Sequence, residues 1–337
     1  MLTKRKSLLT LAVGLFTFIA ALTIIVTGIR SGLGRAMDKQ RNISFDLHPT
    51  NNTMIFSAEG QGGHPIYTMD TGSKKATQIT HRDAYEQEPT FSADGTRIAF
   101  ASGKTPLGES HIYTCALDGA GIKQWTSDPL VYDWHPSFSP DGSKLLFSRA
   151  ARNREYSFGG RIWDLWDVFV LDFKSGRVER VTNEKYSQIY APIFSHDGSS
   201  VLYAAYTYTA ATADLYSVNL NDKSPPRIVA SNVHYPSLSA DGKFIAFISD
   251  RADPFNLDVW ISGIADGQPN GAAVRITSNK SYNTHPVFTK NGKSIVFLSD
   301  KGRKQRFELW QVDIAEKKIE RLADDKLFDD PLRWQPR

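Results

Sequence analysis

Cysteine is almost absent from this sequence of 337 residues, since Cys115 is the only one. A single cysteine excludes an intramolecular disulfide framework in any redox compartment, so stability must come from strand pairing and apolar packing. We expect Cys115 to be a small buried residue rather than a nucleophile.

A strong excess of charge is also absent from most of the chain. The formal net charge is +4, but seven of the 40 basic side chains precede residue 42, where Asp38 is the only acid. The remainder holds 33 basic and 35 acidic side chains. Charge therefore gives no support to nucleic-acid binding.

Common catalytic motifs are missing as well. The sequence has no Gly-x-Ser-x-Gly nucleophile elbow, no His-Glu-x-x-His zinc helix, no Cys-x-x-Cys pair and no Gly-x-x-x-x-Gly-Lys phosphate loop. Enzymes that depend on these motifs are disfavoured. We predict no catalytic residues, no metal ligands and no cofactor.

One long hydrophobic run stands near the start of the chain. Leu8 to Ile29 is 22 residues without a charge, enough at about 1.5 Å per residue to cross a bilayer core of about 30 Å. It predicts a transmembrane signal-anchor helix, with a cleaved signal peptide as the alternative because Lys4, Arg5 and Lys6 form a positive n-region. These basic residues favour a cytoplasmic N-terminus, which would place the rest of the chain in the periplasm or outside.

The rest of the chain is an internal repeat. Its copies read like FSADGTRIAF and begin at Leu47, Phe91, Phe138, Phe194, Leu238 and Phe288, the first being degenerate. An Asp-Gly or Asn-Gly pair in five copies predicts a tight hairpin, an aromatic closes each second strand, and a second aromatic column marks each third strand. The copies start 44 to 56 residues apart, which is close to one four-stranded propeller blade each.

These motifs resemble the WD40-like repeats of TolB-type propellers, which also occur in the propellers of prolyl oligopeptidase-type enzymes. The resemblance spans about residues 44 to 334 and implies an all-β propeller of six four-stranded blades, or seven if Pro331 to Trp334 is one more first strand. TolB carries an α/β domain ahead of its propeller, whereas about forty residues precede this one. Partnership with the Tol-Pal envelope system is therefore implied only at the level of the family, because propellers host many unrelated activities.

Four segments follow from these patterns. We expect a basic N-terminal segment at 1–7, the membrane helix at 8–29, a juxtamembrane linker at 30–42 and the TolB-like propeller at 43–337.

A first candidate site is the central channel. Each first strand is entered through a residue and a proline, and first strands line the channel of a propeller, so the pre-proline side chains should ring its mouth on the face that carries the longer connections. Three tyrosines, Tyr85, Tyr132 and Tyr282, recur four residues before their prolines. The predicted partner or ligand residues of this funnel are Glu88, Tyr132, His135, Tyr235, Tyr282, His285 and Asp330.

The alternative for the funnel is that proline only fixes the strand entry and the side chains hydrogen-bond around the channel. A metal held by Glu88, His135 and His285 is not predicted, because no local spacing enforces coordination.

A second candidate site is the third blade, where Arg149 to Trp166 replaces a short connection with a long one. Arginine and large aromatic residues are enriched at binding hot spots. The predicted partner-binding residues of this loop are Arg152, Arg154, Tyr156, Arg161 and Trp163. The alternative is a loop that packs on itself and covers the propeller rim.

Together these observations predict a non-catalytic, membrane-anchored, extracytoplasmic propeller that binds a protein or peptide partner as a scaffold or interaction module. The alternative is a propeller enzyme, such as a polysaccharide lyase or hydrolase, that uses a histidine-lined funnel with or without a metal.

Overall fold

The computed structural model describes residues 43–60, 63–106, 108–155, 161–210, 212–222, 224–253, 256–265, 267–303, 306–329 and 331–332. These residues form 24 β-strands and one short helix, α1 (Lys326–Asp329). The predicted membrane helix at Leu8 to Ile29 lies outside them. Within the described ranges, no helix has both the length and the apolar character needed to cross a membrane.

The strands follow one another in six antiparallel runs of four, which we call units 1 to 6 in chain order. Unit 1 contains β1 (Phe45–Leu47), β2 (Thr53–Ser57), β3 (Ile66–Asp70) and β4 (Ala76–Gln78). Unit 2 contains β5 (Tyr85–Phe91), β6 (Arg97–Gly103), β7 (Ser110–Ala116) and β8 (Lys123–Gln124). Unit 3 contains β9 (Tyr132–Phe138), β10 (Lys144–Glu155), β11 (Arg161–Asp172) and β12 (Val178–Arg180).

The second half of the chain repeats this order. Unit 4 contains β13 (Gln188–Phe194), β14 (Ser200–Tyr206), β15 (Asp214–Asn219) and β16 (Arg227–Ser231). Unit 5 contains β17 (His234–Leu238), β18 (Phe244–Ser249), β19 (Asp258–Ala265) and β20 (Gln268–Arg275). Unit 6 contains β21 (Asn283–Phe288), β22 (Ser294–Arg303), β23 (Arg306–Asp313) and β24 (Ile319–Ala323).

Units 1, 4, 5 and 6 are separate sheets, whereas units 2 and 3 are joined into one sheet of eight strands. The junction is a single parallel pair between Ser110 of β7 and Tyr132 of β9. The prediction of an all-β propeller is confirmed.

The Asp-Gly hairpins explain how each unit begins. In unit 2, the Ser92 hydroxyl donates to Asp94 Oδ1 (2.6 Å) and accepts from the amide of Arg97 (3.0 Å). Gly95 takes a φ of +70°, which favours glycine because it has no Cβ. The same bonds recur in units 3, 4 and 5. The predicted hairpins are thus present.

The two aromatic columns pack inside the units. The second-strand residues Phe56, Phe100, Phe147, Tyr203, Phe247 and Phe297 are all buried. In units 1 to 4 each stacks on the third-strand aromatic opposite to it, with ring centroids 5.5 to 5.8 Å apart. Cys115 is buried as expected, and burial raises the pKa of its thiol to about 12.

Unit 1 packs against unit 6. Phe45 and Phe56 lie in one apolar cluster with Leu298, Leu309 and Phe328. The N-terminal strand β1 completes unit 1, and Pro331–Leu332 is a turn rather than a strand. Trp334 of the predicted extra strand lies outside the described residues.

Antiparallel order divides the connections between two faces. The hairpins between first and second strands lie on one face, which we call the turn face. The connections from second to third strands, and from each fourth strand to the next first strand, lie on the other, which we call the loop face. Because first strands run from the loop face to the turn face, the chain enters β1 from the loop face.

Candidate functional site

Four of the predicted funnel residues come together in the central channel. Glu88, His135, Tyr235 and His285, from units 2, 3, 5 and 6, line a cavity of about 370 Å³. Their first strands approach one another around the axis, so residues that are far apart in the chain become neighbours. The structure therefore gathers these four side chains as the repeat register predicts.

The depth of these residues in the channel differs from the prediction. The first strands begin before the pre-proline residues, at Tyr85 in β5 and at Tyr132 in β9. The cavity also includes Ala93, Pro140 and His196, which belong to hairpins of the turn face. The expectation that the pre-proline residues ring a mouth on the loop face was therefore wrong, because they lie within the strands and their cavity extends towards the turn face.

A repeated backbone feature accounts for this position. The pre-proline residues Glu88, His135, Ala191, Tyr235 and His285 all have φ between 42° and 51°. The pairing register of each first strand shifts at this point, which marks a β-bulge. A left-handed conformation is costly for a residue with a Cβ, and it recurs at the same position of units 2 to 6.

The cavity floor combines one carboxylate with two imidazoles. His285 Nε2 lies 3.7 Å from Glu88 Oε1. The His135 ring is buried, and its Nδ1 lies 3.3 Å from the hydroxyl oxygen of Ser148. Burial, only partly opposed by the Glu88 carboxylate, lowers the pKa of His135 to about 4. His135 is therefore neutral at physiological pH.

Aromatic rings continue around the channel from this floor. The centroids of His285 and Tyr235 are 4.2 Å apart, those of Tyr235 and Tyr190 are 4.9 Å apart, and those of His135 and Trp134 are 4.4 Å apart. Tyr190 was missed in the sequence, although its ring contacts two of the cavity residues; its centroid also lies 5.9 Å from that of His135.

The other predicted funnel residues lie elsewhere. Tyr132 is buried beside Trp163 and Trp166, with ring centroids 5.6 and 6.1 Å away. Tyr282 is exposed on the loop face, near the ring of Phe307. Asp330 lies outside the described residues. Tyr132 and Tyr282 are thus not part of the channel cavity.

The third-unit insertion is a β-ribbon rather than a loop. Strands β10 and β11 are 12 residues each and stay paired as far as Glu155 and Arg161. Arg152 and Arg154 lie on β10 within this paired part, whereas Tyr156 lies outside the described residues. The insertion therefore projects from the loop face as a two-stranded arm.

Two side chains of this insertion are buried at its base. Trp163 is only 7% exposed and belongs to the apolar cluster between units 3 and 4, so its expected role as an exposed anchor is not supported by its position. Arg149 is buried and donates from Nε to Asp133 Oδ1 (2.6 Å) and from Nη1 to Asp128 Oδ2 (2.6 Å). Composition indicated a surface hot spot, but these side chains fill the base of the arm.

Across the part of the chain that the structure describes, no group of three or more histidine, cysteine, aspartate or glutamate side chains is placed to hold a metal ion.

Comparisons with known proteins agree with this architecture. The model of the TolB beta propeller domain family matches residues 21–160 and 166–336. An uncharacterized protein of Agrobacterium fabrum is 31% identical over 148 residues, which are 42% of this chain and 47% of that protein. The Tol-Pal system protein TolB of Francisella tularensis is 26% identical over 198 residues, which are 58% of this chain and 42% of that protein.

A solved structure gives the same result for the fold. TolB from Acinetobacter baumannii superposes with a TM-score of 0.60 at 21% identity, over 82% of this chain and 62% of that one. The chain spans less than half of the length of the two curated relatives. The resemblance noted in the repeats is confirmed, and because the family model covers most of the sequence, the chain belongs to the TolB β-propeller family.

Proposed function

We propose that this protein is a non-catalytic interaction module of the cell envelope that binds a protein partner through its loop face. In this proposal each unit is one blade of a six-bladed ring, residues 43–337 form the propeller, and the segment at 8–29 anchors it by a single membrane pass. The propeller then lies outside the cytoplasmic membrane. The relative that is named a Tol-Pal system protein supports an envelope role.

The position of exposed apolar side chains supports the choice of the loop face. Of the large apolar side chains that are exposed, three lie in loop-face connections of different units, namely Leu130 (72%), Tyr208 (55%) and Tyr282 (43%), whereas Phe244 (47%) is beside a turn-face hairpin. Exposed apolar and tyrosine side chains grouped on one face are typical of protein-binding surfaces. The two-stranded arm of unit 3 rises on the same face, and the hydroxyl of Tyr208 accepts a hydrogen bond from the amide of Leu165 in that arm (3.4 Å).

The anchor would keep this face near the bilayer. The chain enters β1 from the loop face, and the 13 residues of the linker at 30–42 can span at most about 45 Å when fully extended. The partner would therefore be a membrane protein or a protein held close to the membrane. The channel cavity, which lies towards the turn face, would remain accessible for a small ligand.

Site-directed photo-crosslinking of the full chain in its native membrane tests the binding face. A photoreactive phenylalanine derivative at Tyr208 or Tyr282 should give covalent adducts with a partner, because both side chains are exposed on the loop face. The same probe at Lys144 or Lys243 is the matched control, since both are exposed beside turn-face hairpins. Adducts that form only from the control positions would refute the choice of face.

Alkaline extraction of membranes tests the anchor separately. The full chain should stay in the membrane pellet, because an uncharged run of 22 residues resists extraction. Recovery of a chain cut near Gly28 in the soluble extracytoplasmic fraction would show a cleaved signal instead.

A further inference from the structure

Unit 2 differs from units 3, 5 and 6 at one position of its third strand. In units 3, 5 and 6 an acid stands two residues before the third-strand aromatic and pairs with an arginine of the fourth strand; the pairs are Asp167–Arg180, Asp258–Arg275 and Glu308–Arg321. Unit 2 has His111 and Gln124 at the same two positions. The Gln124 amide donates to the carbonyl of Thr126 (2.8 Å) and leaves the place of the ion pair open.

A groove on the loop face occupies this opening. It has a volume of about 840 Å³ and lies between the connection from unit 1 and the arm of unit 3. Ser102 and His111, which pair directly across β6 and β7, both line it. The Ser102 side chain is 2% exposed, and neither its hydroxyl nor His111 Nδ1 has a hydrogen-bond partner among the described residues. Buried polar atoms without partners are rare in folded proteins and indicate an absent ligand or solvent.

Two cationic side chains, Arg82 and Lys104, line this groove together with the carboxylates of Asp83 and Glu109. The Arg82 guanidinium lies over the Tyr113 ring, 4.3 Å from its centroid, and Nη1 is 3.4 Å from the buried Glu86 carboxylate. Lys104 is exposed at the same groove. A guanidinium, a hydroxyl and an imidazole together offer donors that suit one carboxylate. The exposed Asp83, which also lines the groove, would oppose a second negative charge.

An apolar residue in a strained conformation forms another part of the groove. Leu130 follows Pro129 in a turn and has a φ of 60°. The other left-handed residues in connections between units are hydrophilic, namely Lys185, Asn232 and Lys280. A leucine in this conformation costs roughly 1–2 kcal/mol and, at 72% exposure, gains little burial within the chain. Its amide donates a hydrogen bond to the Glu109 carboxylate (3.1 Å), which holds its backbone beside the groove.

We propose that this groove recognises a peptide segment of the partner that presents one aspartate or glutamate side chain to Arg82, Ser102 and His111 and an apolar side chain to Leu130. The inference rests on the proposed function and assigns the chemistry by which the loop face selects its partner. The opening left by the missing acid–arginine pair makes unit 2, rather than units 3, 5 or 6, the place of recognition.

Selection of a random heptapeptide display library on the detergent-solubilised full chain tests this chemistry. We expect the selected peptides to be enriched in an acidic residue close to a large apolar residue. Changing the acid of a selected peptide to its amide, or Arg82→Gln in the protein, should weaken binding about tenfold or more, as for the loss of a charged hydrogen bond. Enrichment without acidic residues, or binding unchanged by Arg82→Gln, would overturn the inference.

Leu130→Asn separates recognition from folding. Asparagine tolerates the left-handed conformation, so this variant should melt at the same or a higher temperature while it binds the selected peptides several-fold more weakly. Unchanged peptide binding by this variant would show that Leu130 is not part of the binding site. If the peptide tests fail while loop-face crosslinks persist, the groove assignment alone is wrong; if those crosslinks are absent, the proposed function fails.

Discussion

Acidification should destabilise the propeller through His135, and the effect can be isolated by His135→Asn. The folded pKa of about 4 lies below the ordinary value of 6.5, so the unfolded chain binds more protons between these values. The contribution of neutral His135 to the free energy of unfolding is fully present above pH 6.5 and is lost as the pH falls towards 4. Asparagine keeps a polar side chain and suits the φ of 50° at this position.

The pKa difference sets the size of the effect. Between pH 7.5 and pH 5 the proton linkage of His135 alone should lower the free energy of unfolding by about 2 kcal/mol. The nearby Glu88 contributes little in this interval, because carboxylates titrate mainly below it. His135→Asn should therefore be less stable than the wild type at pH 7.5, since it loses the ring contact with Trp134, but should lose about 2 kcal/mol less on acidification.

Urea unfolding of the full chain in detergent at both pH values measures this difference. The exposed His81 offers a matched control, because His81→Asn should leave the pH dependence of the wild type unchanged. If His135→Asn loses as much stability as the wild type between pH 7.5 and pH 5, the buried neutral state of His135 is refuted.

Three further substitutions test the packing. Gly242→Ala should cost about 2 kcal/mol or more and Gly292→Ala about 1 kcal/mol in urea unfolding. Both glycines have a positive φ (69° and 66°), but only a methyl at Gly242 meets a neighbouring side chain, with the Cβ of His196 2.3 Å away; equal costs would contradict the close contact. Trp163→Ala should lower the unfolding free energy by about 3–5 kcal/mol, because Trp163 is a core residue. An unchanged melting temperature would instead support the predicted role of Trp163 as a surface anchor. Arg149→Met should cost about 3–5 kcal/mol, because the buried carboxylate of Asp133 loses its cation, and a neutral result would show that this carboxyl is protonated.

The fold could be predicted because its signals are local and recur. An Asp-Gly turn acts within five residues, as the bonds among Ser92, Asp94 and Arg97 show, and the aromatic pair of each unit is formed by adjacent strands. Six copies of a weak signal, at nearly constant spacing, indicate one architecture. The arm of unit 3 was located correctly as a departure from that spacing.

The candidate site could be predicted only in part, because it depends on geometry that no single segment encodes. The register of the repeat places Glu88 and His285 together, and a residue-proline pair stands at each bulge. Their depth was missed because this pair was interpreted as the entry to the strand. Composition cannot separate a buried tryptophan such as Trp163 from an exposed one. The groove of unit 2 was missed because its signal is a substitution, His111 for an acid, that has meaning only once the strands are aligned.

The contact between units 1 and 6 has a consequence for how the ring behaves as a whole. Every unit is continuous in sequence, and within the described residues the two ends of the chain meet through side chains such as Phe45 and Leu309 rather than through a shared sheet. Separation of units 1 and 6 would therefore break no hairpin; it would break these side-chain contacts and the hydrogen bond from the Glu59 amide to the Phe328 carbonyl (3.1 Å). A partner that binds both units on the loop face would oppose this separation, so its affinity and the rigidity of the ring would be thermodynamically linked.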